Sequence, residues 1–508
     1  VRLNSDGSID PSFDAGGGAD ATVRSIILDG SHLLIGGDFT GVSFQHAITN
    51  KSVSSGVATI QADATHGLSM GAAVTVRIGD PVFDGTHILT AVDAGNRTVS
   101  YNVTSADLLD TEVTPLGQMG NPDLPVNRLA RLRVTDGALD STFTQEIGSG
   151  PNGAIHSMTK DSTGTILLGG FSGNGFGSVV STKTLNVAGQ TATLDTVRPH
   201  GLTVGASVRI TGVDELINGT RIVTVVGTTT QFTVAVTDLP GGATPFTSVA
   251  VNGPGYATDA SAAFNYIAAL QADGSIDTSR DYGSGFDAAG RTVARDTAGR
   301  ISAGGDFLTY DNDADWAGGN YHIVFAAGSG ARENGYGPGG GADGVVESVA
   351  LTSGGRTVVG GSFANIGGDN QNNIARLDRR GTVVVNPNPG VGANDTVRTV
   401  AIDNNSNQFL TGNVGKIVIG GTFTSAQGIS RNRIARLNAD LSLDTTFDPG
   451  SGADNIVNRA VVDADGQVYI VGQFTTVNGT SRARVARLEV DGSLDTGFLN
   501  GLAGANDV

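Results

Sequence analysis

The densest group of residues that could hold an ion is Asp311-Asn312-Asp313-Ala314-Asp315, followed by Gly318-Gly319-Asn320. Alternating acids place Asp311, Asp313 and Asp315 on one side of a loop, which would suit a hard, oxygen-ligated cation such as Ca²⁺. The stretch lacks the sixth-position glycine and the closing glutamate of an EF-hand loop, so a solvated acidic loop is the competing reading. Trp316, the sole tryptophan, lies beside it. Its indole could stack on a sugar, or fill a core or an interface.

Other chemistry is sparse. His66 and His200 are each followed by Gly-Leu, and no second histidine or acid recurs beside them at metal-ligand spacing. A turn-stabilising hydrogen bond accounts for both. His32, His87, His156 and His322 share no register. There is no Gly-x-Ser-x-Gly elbow, no His-Glu-x-x-His and no phosphate loop. The lack of cysteine excludes disulfides, thiol catalysis and Cys-type zinc sites. With 31 Lys+Arg against 49 Asp+Glu, the net charge of −18 opposes a nucleic-acid role, since phosphate contacts need a basic surface. It reads instead as solubility of a large exposed protein. So many acids guarantee chance pairs, and none stands out as a glycosidase dyad. No run is apolar for long enough to span a membrane.

What positions these residues is a repeat. Each copy has a glycine-rich lead, an apolar strand, a second strand ending near Gly-Gly-x-Phe, then an Ala-Arg-Leu strand and Asp-Gly-Ser-Leu-Asp. In the last copy these are Gly450 to Asp454, Val457 to Val462, Val468 to Phe474, Val485 to Leu488 and Asp491 to Asp495. The phenylalanine recurs at Phe39, Phe171, Phe307, Phe363, Phe423 and Phe474, with the last three intervals 56, 60 and 51 residues. The first two intervals, 132 and 136, each exceed this by about one small domain. Short Val/Ile/Leu runs broken by Gly, Asn and Asp predict an all-β protein with many tight turns. A repeat of this size matches a β-propeller blade, with an open β-solenoid as the alternative. The Gly-Gly would let backbones approach closely, and the phenylalanine would fill the gap between blades. The Asp-Gly-Ser-x-Asp segment reads as a turn in which Asp caps and Gly takes positive φ. Residues 1–13 read as the tail of one repeat and 501–508 as the start of another. The chain is therefore expected to be a segment of a longer polypeptide, or a ring whose last sheet is completed from both ends.

The pattern resembles the delta-60 repeat, a propeller-type repeat of large bacterial surface and secreted proteins and of phage-encoded proteins. The matching residues are Val23 to Phe39 with Arg131-Leu132, Val346 to Phe363 with Ala375-Arg376-Leu377, Val397 to Phe423 with Ala435-Arg436-Leu437, and Val457 to Phe498. The third copy departs after Phe307, where Arg-Leu becomes Val324-Phe325 and Asp-Gly-Ser is lost. The resemblance implies fold rather than chemistry.

Residues 46–122 and 178–258 interrupt the first two copies and match each other. His66-Gly67-Leu68, Gly71, Val74, Val76 and Gly85-Thr86 align with His200-Gly201-Leu202, Gly205, Val208, Ile210 and Gly219-Thr220 at a constant offset of 134. Alternating strands predict a small β-barrel or sandwich in each. These stretches resemble small β modules that decorate phage tails and other virion proteins.

The expected architecture is an all-β propeller of six or seven blades. Propeller segments are 1–45, 123–177 and 259–508; inserted β domains are 46–122 and 178–258. The expected function is structural and binding, in a phage virion on the tail or particle exterior, as part of a larger assembly. Its partners would be other virion or surface proteins or a host-surface glycan. A bacterial secreted or cell-surface adhesin is the alternative, and a carbohydrate-active propeller enzyme the third class. No catalytic residue or cofactor is singled out beyond possible calcium at Asp311, Asp313 and Asp315.

Overall fold

The computed structural model describes residues 2–505 apart from 11, 14–17, 20, 40–41, 44–45, 63–69, 72, 94, 96, 121–127, 136, 138, 141–142, 144–150, 152, 162–163, 171–177, 197–201, 203, 212, 229, 252–255, 260–265, 278, 281, 283–284, 311–319, 334, 338, 353, 385–390, 404–414 and 500–504. The named elements are all strands, and no helix among the described residues is long and apolar enough to cross a membrane. The chain forms two compact units. One holds residues 11–154 and 176–259, the other residues 2–10, 155–175 and 260–508.

The second unit contains five antiparallel three-stranded sheets, each with its second strand in the middle. Sheet B comprises Ser157–Lys160, Ile166–Gly169 and Ile267–Leu270. Sheet C comprises Gly290–Arg295, Ile301–Gly305 and His322–Phe325. Sheet D comprises Val345–Leu351, Thr357–Ser362 and Ile374–Leu377. Sheet E comprises Val397–Asp403, Lys416–Gly421 and Ile434–Leu437. Sheet F comprises Val457–Val462, Val468–Gly472 and Val485–Leu488. β-Branched and aliphatic residues fill the middle strands, which in sheets B to E are buried on both faces and so read as largely apolar runs.

The two glycines of Gly-Gly-x-Phe do different work. A Cβ at the second, as in Gly361 or Gly421, would overlap a carbonyl oxygen at the entry to the first strand, that of Val345 or Thr396. A Cβ at the first would meet the next sheet. At Gly360 it would lie 2.6 Å from Val397 Cγ1, and at Gly420 2.6 Å from Val457 Cγ1. Successive sheets thus pack valine into a glycine hollow. They are also stitched by a recurrent hydrogen bond at the first-strand bulge. Val293 N donates to Ser157 Oγ, Val349 N to Thr292 Oγ1, Val400 N to Ser348 Oγ and Ala460 N to Thr399 Oγ1, at 3.0–3.2 Å. In sheet F the glycine position holds Val471 and the hydroxyl position Arg459. Val471 is 39 % and Val461 61 % exposed there. The phenylalanines at 307, 363, 423 and 474 are buried, and Phe474 shares a cluster with Val418 and Ile434 of sheet E. Phe171 lies outside the described residues.

One further residue fixes each copy, and nothing in its type announces it. The residue before the third strand is left-handed in every sheet of this unit: Tyr266, Tyr321, Asn373, Arg433 and Arg484, with φ of 64–68°. In sheets C to F its N–H bonds the carbonyl of the phenylalanine and its carbonyl accepts from the second glycine; Arg433, for example, bonds Phe423 at 2.8 Å and Gly421 at 3.0 Å. Between the second and third strands, sheets D, E and F carry two-residue hairpins. Asn478 and Gly479, both at positive φ, form one of these turns, as the twist of a tight hairpin demands. Sheet C keeps its third strand despite Val324-Phe325, with Ile301 opposite Phe325 and Gly304 opposite His322. A buried chain replaces the lost polar groups there: Ser302 Oγ lies 2.7 Å from His322 Nε2, and Tyr336 OH 2.5 Å from His322 Nδ1.

In the first unit, sheet A comprises Val23–Asp29, His32–Gly37 and Leu129–Arg133, with Arg128 at φ 68° before its third strand. His46–Ser54, Val57–Ala62, Ala73–Arg77, Gly85–Asp93, Thr98–Asn102 and Leu108–Gly120 form a closed six-stranded barrel around Ile60, Val74, Val99 and Tyr101. In the second module, Thr191–Thr196, Ser207–Thr211 and Gly219–Thr228 begin 134 residues after their counterparts. Its pairings also return on themselves, through Ser178–Asn186 and Tyr256–Asp259. Alternation cannot distinguish a barrel from a sandwich, because both bury every second residue.

Candidate functional site

The acids that recur in the sequence are consumed by a clamp. The third-strand arginine reaches the second aspartate of the following turn: Arg2 to Asp10 (2.8 Å), Arg131 to Asp140 (2.7 Å), Arg436 to Asp444 (2.7 Å) and Arg487 to Asp495 (2.5 Å). In three copies the guanidinium also lies over the next phenylalanine, at 4.4 Å from Phe143, 4.7 Å from Phe447 and 4.9 Å from Phe498. The first aspartate caps the turn; Asp491 Oδ1 accepts from Ser493 N at 2.9 Å and Ser493 Oγ at 2.6 Å. Those two bonds hold its carboxyl below the usual range. Burial alone would raise Asp444, but bonds from Lys416, Thr446 and Arg436 override it and hold that carboxyl far down. Arg376 departs from the pattern, because Val384 stands where the aspartate belongs. Its Nε is buried without a partner.

Asp311, Asp313, Asp315 and Trp316 lie outside the described residues, as do His66 and His200. The other histidines are not brought together. His87 Nε2 lies 2.8 Å from the Phe83 carbonyl, and its ring stacks on Tyr101. His322 is buried in sheet C. No three His, Asp or Glu residues among the described residues are placed to share a metal ion.

The described residues instead form a polar cavity of about 350 Å³ at the junction of sheets E and F, lined in part by Asn432, Arg433, Ser451, Asp454, Thr476 and Gly479. Its volume falls within the range of small-ligand pockets, about 300–1,000 Å³. The hairpin of Asn478 and Gly479 and the left-handed backbone of Arg433 set its walls. Arg433 Nη1 donates to the carbonyls of Thr422 (2.8 Å) and Phe423 (3.1 Å). Its Nε is buried without a partner. The Asp395 carboxyl, held low first by the Thr396 amide, also feels the charge of this guanidinium. Asp454 accepts from Thr475 N (2.8 Å), Thr476 N (3.0 Å) and Thr475 Oγ1 (2.6 Å). Burial opposes its charge, but these bonds keep its carboxyl below the ordinary value. Arg431, Arg433, Arg482 and Arg484 occupy matching places on two successive loops, in Ser430-Arg431-Asn432-Arg433 and Ser481-Arg482-Ala483-Arg484. The nearest acid to Arg431 is Asp448 at 3.7 Å, itself 64 % exposed and so a weak partner. At the D–E junction the equivalent Asn373 side chain instead bonds the Ala393 carbonyl at 2.9 Å. The cavity is invisible to motif reading because its walls come from three separate segments; the repeated Arg-x-Arg was its one sequence signal.

The fold is an all-β propeller. A family model described as a domain of unknown function, DUF5122 beta-propeller, matches residues 1–13, 353–383, 415–447 and 464–498. No curated protein matches the chain. Similar solved structures include a Xanthomonas campestris gluconolactonase (12 % identity, TM-score 0.27, covering 63 % of this chain and 86 % of that one). They also include the phage phi92 endosialidase (11 % identity, TM-score 0.21, 87 % and 64 % coverage). A third is the Dos1 propeller (9 % identity, TM-score 0.26, 90 % and 91 % coverage). These likenesses are too distant to bear on what the chain binds or does.

Proposed function

We propose that this chain is a non-enzymatic structural and binding protein of a phage virion, on the tail or particle exterior. In this reading it is a propeller of six or seven blades carrying two small β domains in blade loops. One observation carries the reading: the recurring Arg, Asp and Phe groups are spent on clamps within the sheets, as in Arg436–Asp444 over Phe447. The duplicated module and the arginine-bearing loops remain available to partners. The module's resemblance to virion decorations supports the particle, and the partners would be neighbouring subunits or a host-surface glycan. The delta-60 likeness supports a second reading, a bacterial secreted or cell-surface adhesin. Calcium at Asp311, Asp313 and Asp315 belongs to the same proposal. A rise in thermal midpoint with Ca²⁺ that Asp313→Asn removes would support it, and an unchanged midpoint would count against it.

Immunogold electron microscopy on purified particles and on intact cells from one culture tests the location. Label at a fixed place on the particle supports the virion. Label on uninfected envelopes alone overturns it in favour of the adhesin.

A further inference from the structure

We propose that the cavity beside Arg433 binds an acidic sugar residue, its carboxylate on Arg433 and a hydroxyl on Asp454. The proposal rests on the reading that these loops face a glycan-bearing surface.

Three features argue for it. First, Arg433 is a half-buried cation with uncommitted donors. Nη1 is bound to two backbone carbonyls and Nε is buried out of a ligand's reach, which leaves Nη2 as the free donor. A ligand carboxylate would accept a charge-assisted hydrogen bond from Nη2, stronger than any a neutral sugar hydroxyl could accept. Second, the cavity contains an ionised acid as well. Asp454 lines it with both oxygens already ordered by Thr475 and Thr476. An anion without hydroxyl donors meets only repulsion from that carboxylate, but a sugar acid brings hydroxyls that donate to it. Third, the lining is polar, with Asn432, Ser451 and Thr476 supplying amide and hydroxyl groups, and about 350 Å³ accommodates one ring.

Isothermal titration of the full chain with sodium glucuronate, glucose and inorganic phosphate tests the assignment. Saturable binding of glucuronate is expected, at least tenfold tighter than glucose or phosphate. Arg433→Gln should weaken it tenfold or more. Because Arg433 also bonds Thr422 and Phe423, Ser451→Trp provides a second variant that fills the cavity without removing those bonds, and it should abolish binding. Equal affinity for glucose or phosphate, absence of saturable glucuronate binding, or wild-type affinity in Ser451→Trp would each overturn the proposal. None of these outcomes alters where the protein is found by immunogold labelling, so the two readings fail separately.

Discussion

Arg487 Nη1 donates to the backbone carbonyl of Ser5 at 2.8 Å, joining residues 482 positions apart. Arg436 makes the matching bond to Val490 O at 2.7 Å, and Arg376 makes it to Ala439 O. Leu499 N to Asp6 O (2.9 Å) likewise repeats Asp448 N to Asp491 O (2.7 Å). Residues 2–10 therefore sit on sheet F as the next repeat's turn sits on sheet E. Replacing Arg487 by Met should lower unfolding free energy by about 3 kcal/mol, because it strands Asp495 and releases Ser5 together. Ser5→Ala should change it by less than about 0.5 kcal/mol, since the acceptor is backbone. Urea denaturation distinguishes the two.

The missing acid beside Arg376 makes a stabilising substitution foreseeable. Val384 N bonds Arg376 O at 2.8 Å, the geometry that Asp444 N has with Arg436 O at 2.9 Å. Val384→Asp should supply the absent carboxylate and raise stability by about 1 kcal/mol, seen as a higher thermal midpoint. A lower midpoint would mean that the lost valine packing outweighs the new pair.

The glycine hollow predicts an asymmetry. Gly360→Val should cost more than about 2 kcal/mol, since its Cβ alone would meet Val397 and Val400. The reverse change at the matching place in sheet F, Val471→Gly, should cost only about 1 kcal/mol, the strand-propensity difference at a partly exposed site. Comparable costs in chemical denaturation would contradict the hollow.

Phe363→Ala should destabilise by about 3–5 kcal/mol, because the ring is buried among Val346, Val359 and Leu377. A change below about 1 kcal/mol would mean that the recurring phenylalanine is not core.

The all-β propeller class was legible because Gly-Gly-x-Phe encodes a steric necessity at a fixed place. The clamp was half legible: Arg487 and Asp495 stand eight residues apart, as do Arg436 and Asp444, yet only the turn half was evident from Asp-Gly-Ser. The left-handed residue was not legible, since Tyr321, Asn373 and Arg433 have no chemistry in common and the backbone bonds to Phe and Gly dictate the conformation. Nor was the seat of residues 2–10, which depends on a contact no local pattern encodes. The acidic run at Asp311, Asp313 and Asp315 drew attention through composition, whereas the Arg433 cavity is assembled by tertiary structure.

Acid should weaken the fold through His322. Burial pushes its pKa down from 6.5 to about 3, so the unfolded chain binds an extra proton between those values. Its contribution is full above pH 6.5 and is lost as pH falls towards 3. Between pH 6 and 4.5 it should add a slope of up to about 1.4 kcal/mol per pH unit. His322→Gln should flatten the pH dependence of the unfolding free energy in that window; an unchanged slope would assign the acid sensitivity to other groups.

In the barrel module, His46 on the first strand lies directly opposite Met119 on the last, and in the second module Ser178 lies opposite Ala257. Each module therefore begins and finishes at neighbouring points on its own wall, about 5 Å apart like any strand pair. Each thus closes its wall with its own strands and needs no strand from outside itself.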